Sequence, residues 1–261
     1  MEIIVCIKQV PDTNEVRIDP EKGTLIRKGV PSIINPDDKN ALEEALRIKD
    51  KLEDVNVTVL SMGPSQAKNA LREALAMGAD KAILLSDRAF AGSDTWATST
   101  ILAGAIKKIK NYDIIFCGRQ AIDGDTAQVG PQIAEHLEIP QITYVENLDI
   151  EKQRVKANRA VEDGYYIINS EMPVLLTAIK ELNKPRYESI SGIYKSTNKE
   201  IEIWGVDDIV VDTTQIGLKG SPTRVKKTET AKPKKEGELL KGSTEEAVNE
   251  LIVKLKQRQV I

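Results

Sequence analysis

Apolar residues along this chain alternate between two patterns. Glu2–Lys8, Val55–Ser61, Lys81–Ser86 and Tyr112–Cys117 are short, near-continuous apolar runs, as strands covered on both faces should be. Between them, Pro36–Leu52, Ser65–Gly78 and Asp94–Lys110 repeat with helical spacing. In the first helix Leu42, Ala45 and Leu46 share a face. Ser65–Gly78 is the clearest, because Ala67, Ala70, Leu71, Ala74 and Leu75 follow i, i+3, i+4, i+7, i+8. Strands alternating with helices at this spacing predict parallel βαβ units with right-handed crossovers. The expected fold class is α/β, with a mostly parallel, doubly wound, Rossmann-like sheet.

The rest of the chain reads differently. Val16–Asp19 and Thr24–Arg27 flank the turn PEKG and predict a small hairpin excursion. Gln141–Leu148, Arg154–Val161 and Tyr165–Asn169 read as short strands, the last two joined through EDGY as a β-hairpin extension. Pro173–Ile179 is one more buried strand. From Lys180 the regular pattern stops: Asn183–Glu200 is loop-like, Ile201–Trp204 a short strand, and Val206–Leu218 has no strong period. Gly220–Gly242 is rich in Lys, Pro and Gly and reads as an extended arm. Ser243 and Glu246 then make a capping box for a last helix with Val248, Leu251, Ile252 and Leu255 on one face. Such a helix docks on its own body or on a partner subunit. The expected division is 1–182, 183–218 and 219–261.

Charge and composition exclude some classes. A net charge of −3, with 30% charged residues, gives no electrostatic footprint for nucleic acid. The start MEIIVCIK is strand-like and no long apolar stretch follows, so neither a secretory leader nor a membrane span is expected. Cys6 and Cys117 are the only cysteines, too few for a disulfide framework or metal cluster, which fits a reducing cytoplasm. Each lies near a strand end and reads as a small buried thiol. His136 is the only histidine and reads as an ordinary helix residue, so a His-based metal site is excluded.

Candidate chemistry concentrates in Tyr112–Leu137, a buried strand, a Gly- and Asp-rich loop, then a helix. Ligands of open α/β sheets bind outside the carboxyl ends of strands, and a helix start there aims free N–H groups at an anion. A nucleotide phosphate is the natural occupant, although neither G-x-x-x-x-G-K-[ST] nor G-x-G-x-x-G is present. Asp123 and Asp125 would repel a phosphate. They are better suited to accept from ribose hydroxyls or to cap the helix, and Asp125 with Gln128 fits a capping-box spacing. Pro131 either sits inside the first two turns, costing a hydrogen bond, or opens the helix.

Several motifs in order carry a family resemblance. They are CIKQVPDT (Cys6–Thr13), INPDDKNALEEALR (Ile34–Arg47), SMGPSQAKNALREALAMGADKAILL (Ser61–Leu85), GRQAIDGDTAQVGP (Gly118–Pro131) and VKANRAVEDGYYIINSEMPVLLTA (Val155–Ala178). Over nearly its whole length the chain resembles the beta (small) subunit of electron transfer flavoprotein, the family that includes FixA-type proteins. DGDTAQVGP and NPDD resemble its electron-bifurcating branch.

The resemblance implies a heterodimer with an alpha subunit that carries the electron-transferring FAD. It implies a second nucleotide in this chain, FAD in the bifurcating branch or a structural AMP in the simpler one. In the bifurcating branch NADH is the electron donor and ferredoxin or flavodoxin a low-potential acceptor. The cofactor residues it implies are Cys6; Asn35, Pro36, Asp37 and Asp38; Met62 and Gly63; and Asp123, Gly124, Asp125, Thr126, Ala127, Gln128, Val129, Gly130 and Pro131. Read alone, NPDD fits an Asx-type cap and Met62 a core residue. Asp94 and Thr95 are weaker candidates at the same sheet edge, and Lys8 and Arg119 would place positive charge nearby. No catalytic acid or base is required, because the flavin carries the chemistry. LNKPRYESISGIYK (Leu182–Lys195) resembles the loop that docks an acyl-CoA dehydrogenase, with Ile190 as apolar anchor and Leu182, Tyr187 and Ile193 beside it.

Overall fold

The computed structural model describes residues 1–12, the backbone of 17–18 and 25–26, and residues 31–224 and 237–261. Contacts divide the chain into two units, Met1–Lys226 and Lys227–Ile261.

The first unit is built on strands β1 (Glu2–Cys6), β2 (Gln9–Pro11), β3 (Arg17–Ile18), β4 (Leu25–Ile26) and β5 (Ser32–Ile34), then helix α1 (Pro36–Lys51). Next come β6 (Asn56–Met62), α2 (Lys68–Met77), β7 (Lys81–Leu85), α3 (Thr95–Ile109), β8 (Ile114–Gly118) and α4 (Val129–Leu137). The chain continues through β9 (Gln141–Glu151), β10 (Arg154–Val161), β11 (Gly164–Glu171), β12 (Val174–Ala178), α5 (Ile190–Asn198), β13 (Ile201–Trp204) and the short α6 (Gly217–Gly220). One nine-stranded sheet runs β11-β10-β9-β12-β8-β1-β6-β7-β13, parallel except where β10 pairs antiparallel with β9 and β11. The expected α/β class with a mostly parallel sheet is therefore what the chain forms. β3 and β4 pair antiparallel, as the first hairpin predicts; its turn residues, 20–23, lie outside the described residues.

The period of two in each strand divides the core between the two faces of the sheet. Ile3 and Val5, with Ile114 and Phe116, point toward α1 and α2. Ile4 and Cys6, with Ile115 and Cys117, point toward α3 and α4. Phe116 and Ile3 are among the largest fully buried side chains, each worth about 1.5–3 kcal/mol of burial. This two-sided burial makes the central strands nearly continuous apolar runs.

Strand order creates a crevice. From β1 the chain builds outward through β6 and β7, then returns to add β8 on the other side of β1. The carboxyl ends of β1 and β8 thus flank the topological switch point of the sheet.

Two sequence expectations change. Asn183–Glu200 is not all loop: Ile190–Asn198 is helical, with the Ser189 hydroxyl accepting from the Gly192 N–H at its start. Its apolar residues mostly face away from the core, so no buried stripe marked it. Within Val206–Leu218, two 3-10 turns and the start of α6 replace the unpatterned run.

The second unit contains α7 (Thr244–Gln257), opened by the expected capping box between Ser243 and Glu246. Its Val248, Leu251 and Ile252 are partly exposed. Most of the expected extended arm, residues 225–236, lies outside the described residues. Among the described residues no helix is long and apolar enough to cross a membrane.

Candidate nucleotide cleft and docking segment

A cleft of about 360 Å³ opens at the switch point, within the range of small-molecule sites. Cys6 and Cys117, register partners at the ends of β1 and β8, form its floor with Met62 and Leu102. The hydrogen bond with Cys6 and burial together push the Cys117 thiol up, so it stays protonated at neutral pH. This floor is apolar, as the face of a ring requires.

The loop between β8 and α4 forms one wall. Its shape is set by its own polar residues. The Gln120 side-chain amide donates to Asp125 at 2.7 Å, and the Ala121 carbonyl accepts from the Gly124 and Asp125 amides. Asp125 and Ala127 both take positive φ, +49° and +51°, a conformation that costs a non-glycine residue about 1–2 kcal/mol. The capping box predicted for Asp125 and Gln128 does not form: Asp125 is held by Gln120, and α4 starts at Val129 without a side-chain cap. The Gln128 side chain instead accepts from the Thr95 hydroxyl at 2.9 Å. The Val129 and Gly130 N–H groups therefore begin a helix with no intrahelical partner. Pro131 is the third helical residue, still inside the first turn, where its missing N–H costs no bond.

Under this wall lies the start of α1. Asn35 is fully buried, and its side chain does not cap α1. It donates to the Gln120 carbonyl at 2.8 Å and accepts from the Ile122 amide at 3.0 Å, tying the loop down. Asp38 accepts from the Lys8 amide at 2.7 Å and the Gly118 amide at 3.0 Å, joining the ends of β1 and β8. Burial pushes the Asp38 carboxyl up to about 7. Gly118 is required here, because a Cβ would stand 2.2 Å from Asp38 Oδ1 and 2.6 Å from its backbone nitrogen. Burial also raises the Asp37 carboxyl, despite Arg119 at 3.4 Å.

Of the residues singled out in the sequence, Cys6, Asp38, Met62, Gly124, Thr126, Ala127, Gln128, Val129 and Gly130 line the cleft. Asn35, Pro36, Asp37, Gly63, Asp123, Asp125 and Pro131 do not line it: Asn35 is buried, whereas Asp123 and Asp125 are exposed. Pro36 opens α1, and the Gly63 amide donates to the Leu85 carbonyl. Asp123 accepts from Lys8 Nζ at 2.7 Å across the cleft rim. The weaker candidates Asp94 and Thr95 do line the cleft. Burial opposes ionisation of Asp94, but hydrogen bonds from Ala97 and Thr223 outweigh it and hold the carboxyl below its usual value. Gln120 and Ala121, from the GRQAIDGDTAQVGP motif, also line the cleft, as do Ser93, Thr98 and Leu102. No motif marked the last three; only the strand order, which puts the start of α3 opposite the β8–α4 loop, brings them there.

A second exposed region follows β12. Leu182 is buried in the core, whereas Tyr187 and Ile190 are each 90% exposed and Ile193 and Tyr194 also face solvent. These apolar residues sit on α5 and the turn before it.

The chain was compared with known proteins. Residues 22–209 match the electron transfer flavoprotein domain. The electron transfer flavoprotein subunit beta of Clostridium acetobutylicum is 62% identical over the full length of both chains. The caffeyl-CoA reductase-Etf complex subunit CarD of Acetobacterium woodii is 54% identical, again over the full length of both. Protein FixA of Azotobacter vinelandii is 45% identical over 95% of this chain and 91% of its own. Likeness that runs end to end makes this chain a member of the electron transfer flavoprotein family, of the beta-subunit and FixA type.

Proposed function

We propose that this chain binds FAD in its cleft and, with an alpha subunit, passes electrons from NADH to the alpha-subunit FAD and on to an acyl-CoA dehydrogenase by electron bifurcation. The observation that carries the reading is the cleft at the switch point, with an apolar floor on one side and an uncapped helix start on the other. That donor set fits an adenine dinucleotide. Cys6, Met62, Leu102 and Cys117 would provide a surface for a ring, and the free N–H groups of Val129 and Gly130 would hold a phosphate. Lys8 and Arg119 bring positive charge to the rim. FAD, when bound, accepts a hydride and releases its electrons singly. The chain holds the nucleotide and excludes water from its ring, and no side chain need move a proton. The relative named for a caffeyl-CoA reductase complex supports an acyl-CoA-linked redox partner.

The test is the ultraviolet–visible spectrum of the purified alpha–beta complex, with flavin and AMP counted per heterodimer. Two flavins that bleach on adding NADH are expected. One flavin plus one AMP overturns the bifurcating reading and leaves this chain a structural, AMP-binding subunit. A ferredoxin or flavodoxin reduced at the same time as the dehydrogenase identifies the low-potential acceptor.

Ile190 is the proposed docking anchor. Being 90% exposed, it contributes almost nothing to the fold. Ile190→Ala is expected to leave flavin content and melting temperature unchanged while weakening electron delivery to the dehydrogenase about tenfold. Unchanged transfer kinetics would remove the anchor role.

A further inference from the structure

The docking tip is exposed, yet the residues on either side of it are held by unusually complete polar contacts. On the N-terminal side, Arg186 wraps a carboxylate on α1. Its backbone N–H donates to Glu43 Oε2 at 3.0 Å, its Nε to the same oxygen at 2.8 Å, and its Nη2 to Oε1 at 3.1 Å. Nη2 also donates to Asp50 Oδ2 at 2.7 Å. The Glu43 side chain is only 6% exposed, so this carboxylate has exchanged water for Arg186. Upstream, Asn183 donates to the Asn40 carbonyl and to Glu44 on the same helix.

On the C-terminal side, the tip is pinned to α2. The Arg72 guanidinium donates to the carbonyls of Ser196 and Lys199. Gly192 presses on the Ala76 carbonyl, where a Cβ would stand 2.1 Å from the oxygen. Between the pins, Tyr187 and Ile190 touch solvent almost completely. Their own side chains cannot set the path of the backbone, so the pins must.

We propose that the Arg186–Glu43–Asp50 contact is a positioning clamp that presents Ile190 to the partner flavoprotein. The inference rests on the docking reading above. It makes Arg186 a positioning residue that never touches the partner itself. Lysine could not replace it, because an ammonium cannot span both Glu43 oxygens in one plane while also reaching Asp50.

A double-mutant cycle tests this on the intact alpha–beta complex. The dissociation constant is measured for an acyl-CoA dehydrogenase that the wild-type complex reduces, with Arg186→Lys, Ile190→Ala and the pair. Arg186→Lys alone is expected to weaken binding about tenfold, with reduction of the complex by NADH unchanged. In the Ile190→Ala background it should add nothing, because there is no anchor left to misplace. A general structural role would instead give additive effects, and that result overturns the clamp. So does unchanged binding by Arg186→Lys while Ile190→Ala weakens it. Unchanged binding by Ile190→Ala overturns the docking reading and takes the clamp with it. Should Arg186→Lys not fold, Asp50→Asn in the same cycle decides: Asp50 is 60% exposed at its side chain, and its loss should weaken binding about threefold with the same non-additivity.

Discussion

The cleft and the docking segment spend their side chains in opposite ways. In the cleft, the polar residues that look most like ligand contacts are largely occupied by the protein itself. Asn35 holds the β8–α4 loop, Asp125 accepts from Gln120, and Asp38 joins two strand ends. What remains for a ligand is mainly backbone, the Thr126 side chain, the rim cations Lys8 and Arg119, and a floor of Cys6, Met62 and Cys117. In the docking segment the polar residues are also used internally, by Glu43 and Arg186, but the apolar ones are left outside. A nucleotide offers few apolar handles and many acceptors, so a rigid frame of N–H groups suits it. A protein partner offers pockets, so an apolar knob on a fixed stem suits it. Polar residues build the frame in both places, and the frame decides what kind of surface is free.

The comparison breaks most severely at Gly118. Gly118→Ala drives a methyl group into the Asp38 carboxylate and its backbone nitrogen, neither of which has room to retreat. The expected loss is about 3 kcal/mol of stability, with the nucleotide released because the ends of β1 and β8 separate. Chemical denaturation of the complex measures the first, and nucleotide retained after gel filtration the second. A variant that melts like the wild type would show that this junction is soft.

Asp38 gives the next effect, and it depends on pH. Its folded-state carboxyl is raised from 3.8 to about 7 by burial. Between those values the folded protein binds a proton that the unfolded chain has lost, so the stability from this group falls as pH rises. It is fully present below about 4 and lost once pH passes about 7. Asp38→Asn cannot titrate. The melting temperature of the wild type minus that of Asp38→Asn should therefore fall by several degrees between pH 5 and pH 8. A difference that stays flat, or grows with pH, would mean that the carboxylate is ionised throughout and that its two backbone donors outweigh burial.

Asn35→Ala sharpens the contrast between frame and contact. It leaves the Ile122 amide and the Gln120 carbonyl without their partner, at a cost of about 1–3 kcal/mol. The loop is expected to loosen before the sheet does. Hydrogen exchange should quicken at 120–127 while the amides of β1 and β8 keep their protection.

How much of this was legible in the sequence follows from the range of each signal. The central strands and α2 were, because a two-sided sheet and a buried helix face write their periods into Ile, Val, Leu and Ala. β13 was read with its observed bounds, Ile201–Trp204. α5 was not, because Ile190, Ile193 and Tyr194 face solvent and give no buried stripe. In the cleft, the 124–130 loop could be found as a glycine-rich turn after a buried strand, whereas Cys6 and Met62, which on their own read as core residues, were reached only through the family resemblance. Ser93 and Leu102 could not be found, since they arrive through the crossover from β7 to β8. The polar frame was not legible for a general reason. A sequence shows that Asn35 and Asp125 can accept hydrogen bonds, but not whether the chain itself supplies the donor.

The smallest expected effect separates frame from contact at the rim. Asp123 pairs with Lys8, and the two side chains are 35% and 48% exposed. Such a pair is worth about 0–1 kcal/mol, so Asp123→Ala should barely move the melting temperature. The sequence alone suits Asp123 to accept from a ribose hydroxyl or to cap the helix. In the ribose role its removal would weaken nucleotide binding, since a charged acceptor to a hydroxyl contributes about 1.5–3 kcal/mol. The ion pair predicts the reverse. Without Asp123 the Lys8 ammonium is released and a negative charge leaves the rim, so nucleotide retention should rise slightly at low salt. That gain should vanish as added salt screens it. Nucleotide titration of the stripped alpha–beta complex at low and at high salt decides between them, and tenfold weaker binding by Asp123→Ala would move Asp123 from the frame to the ligand.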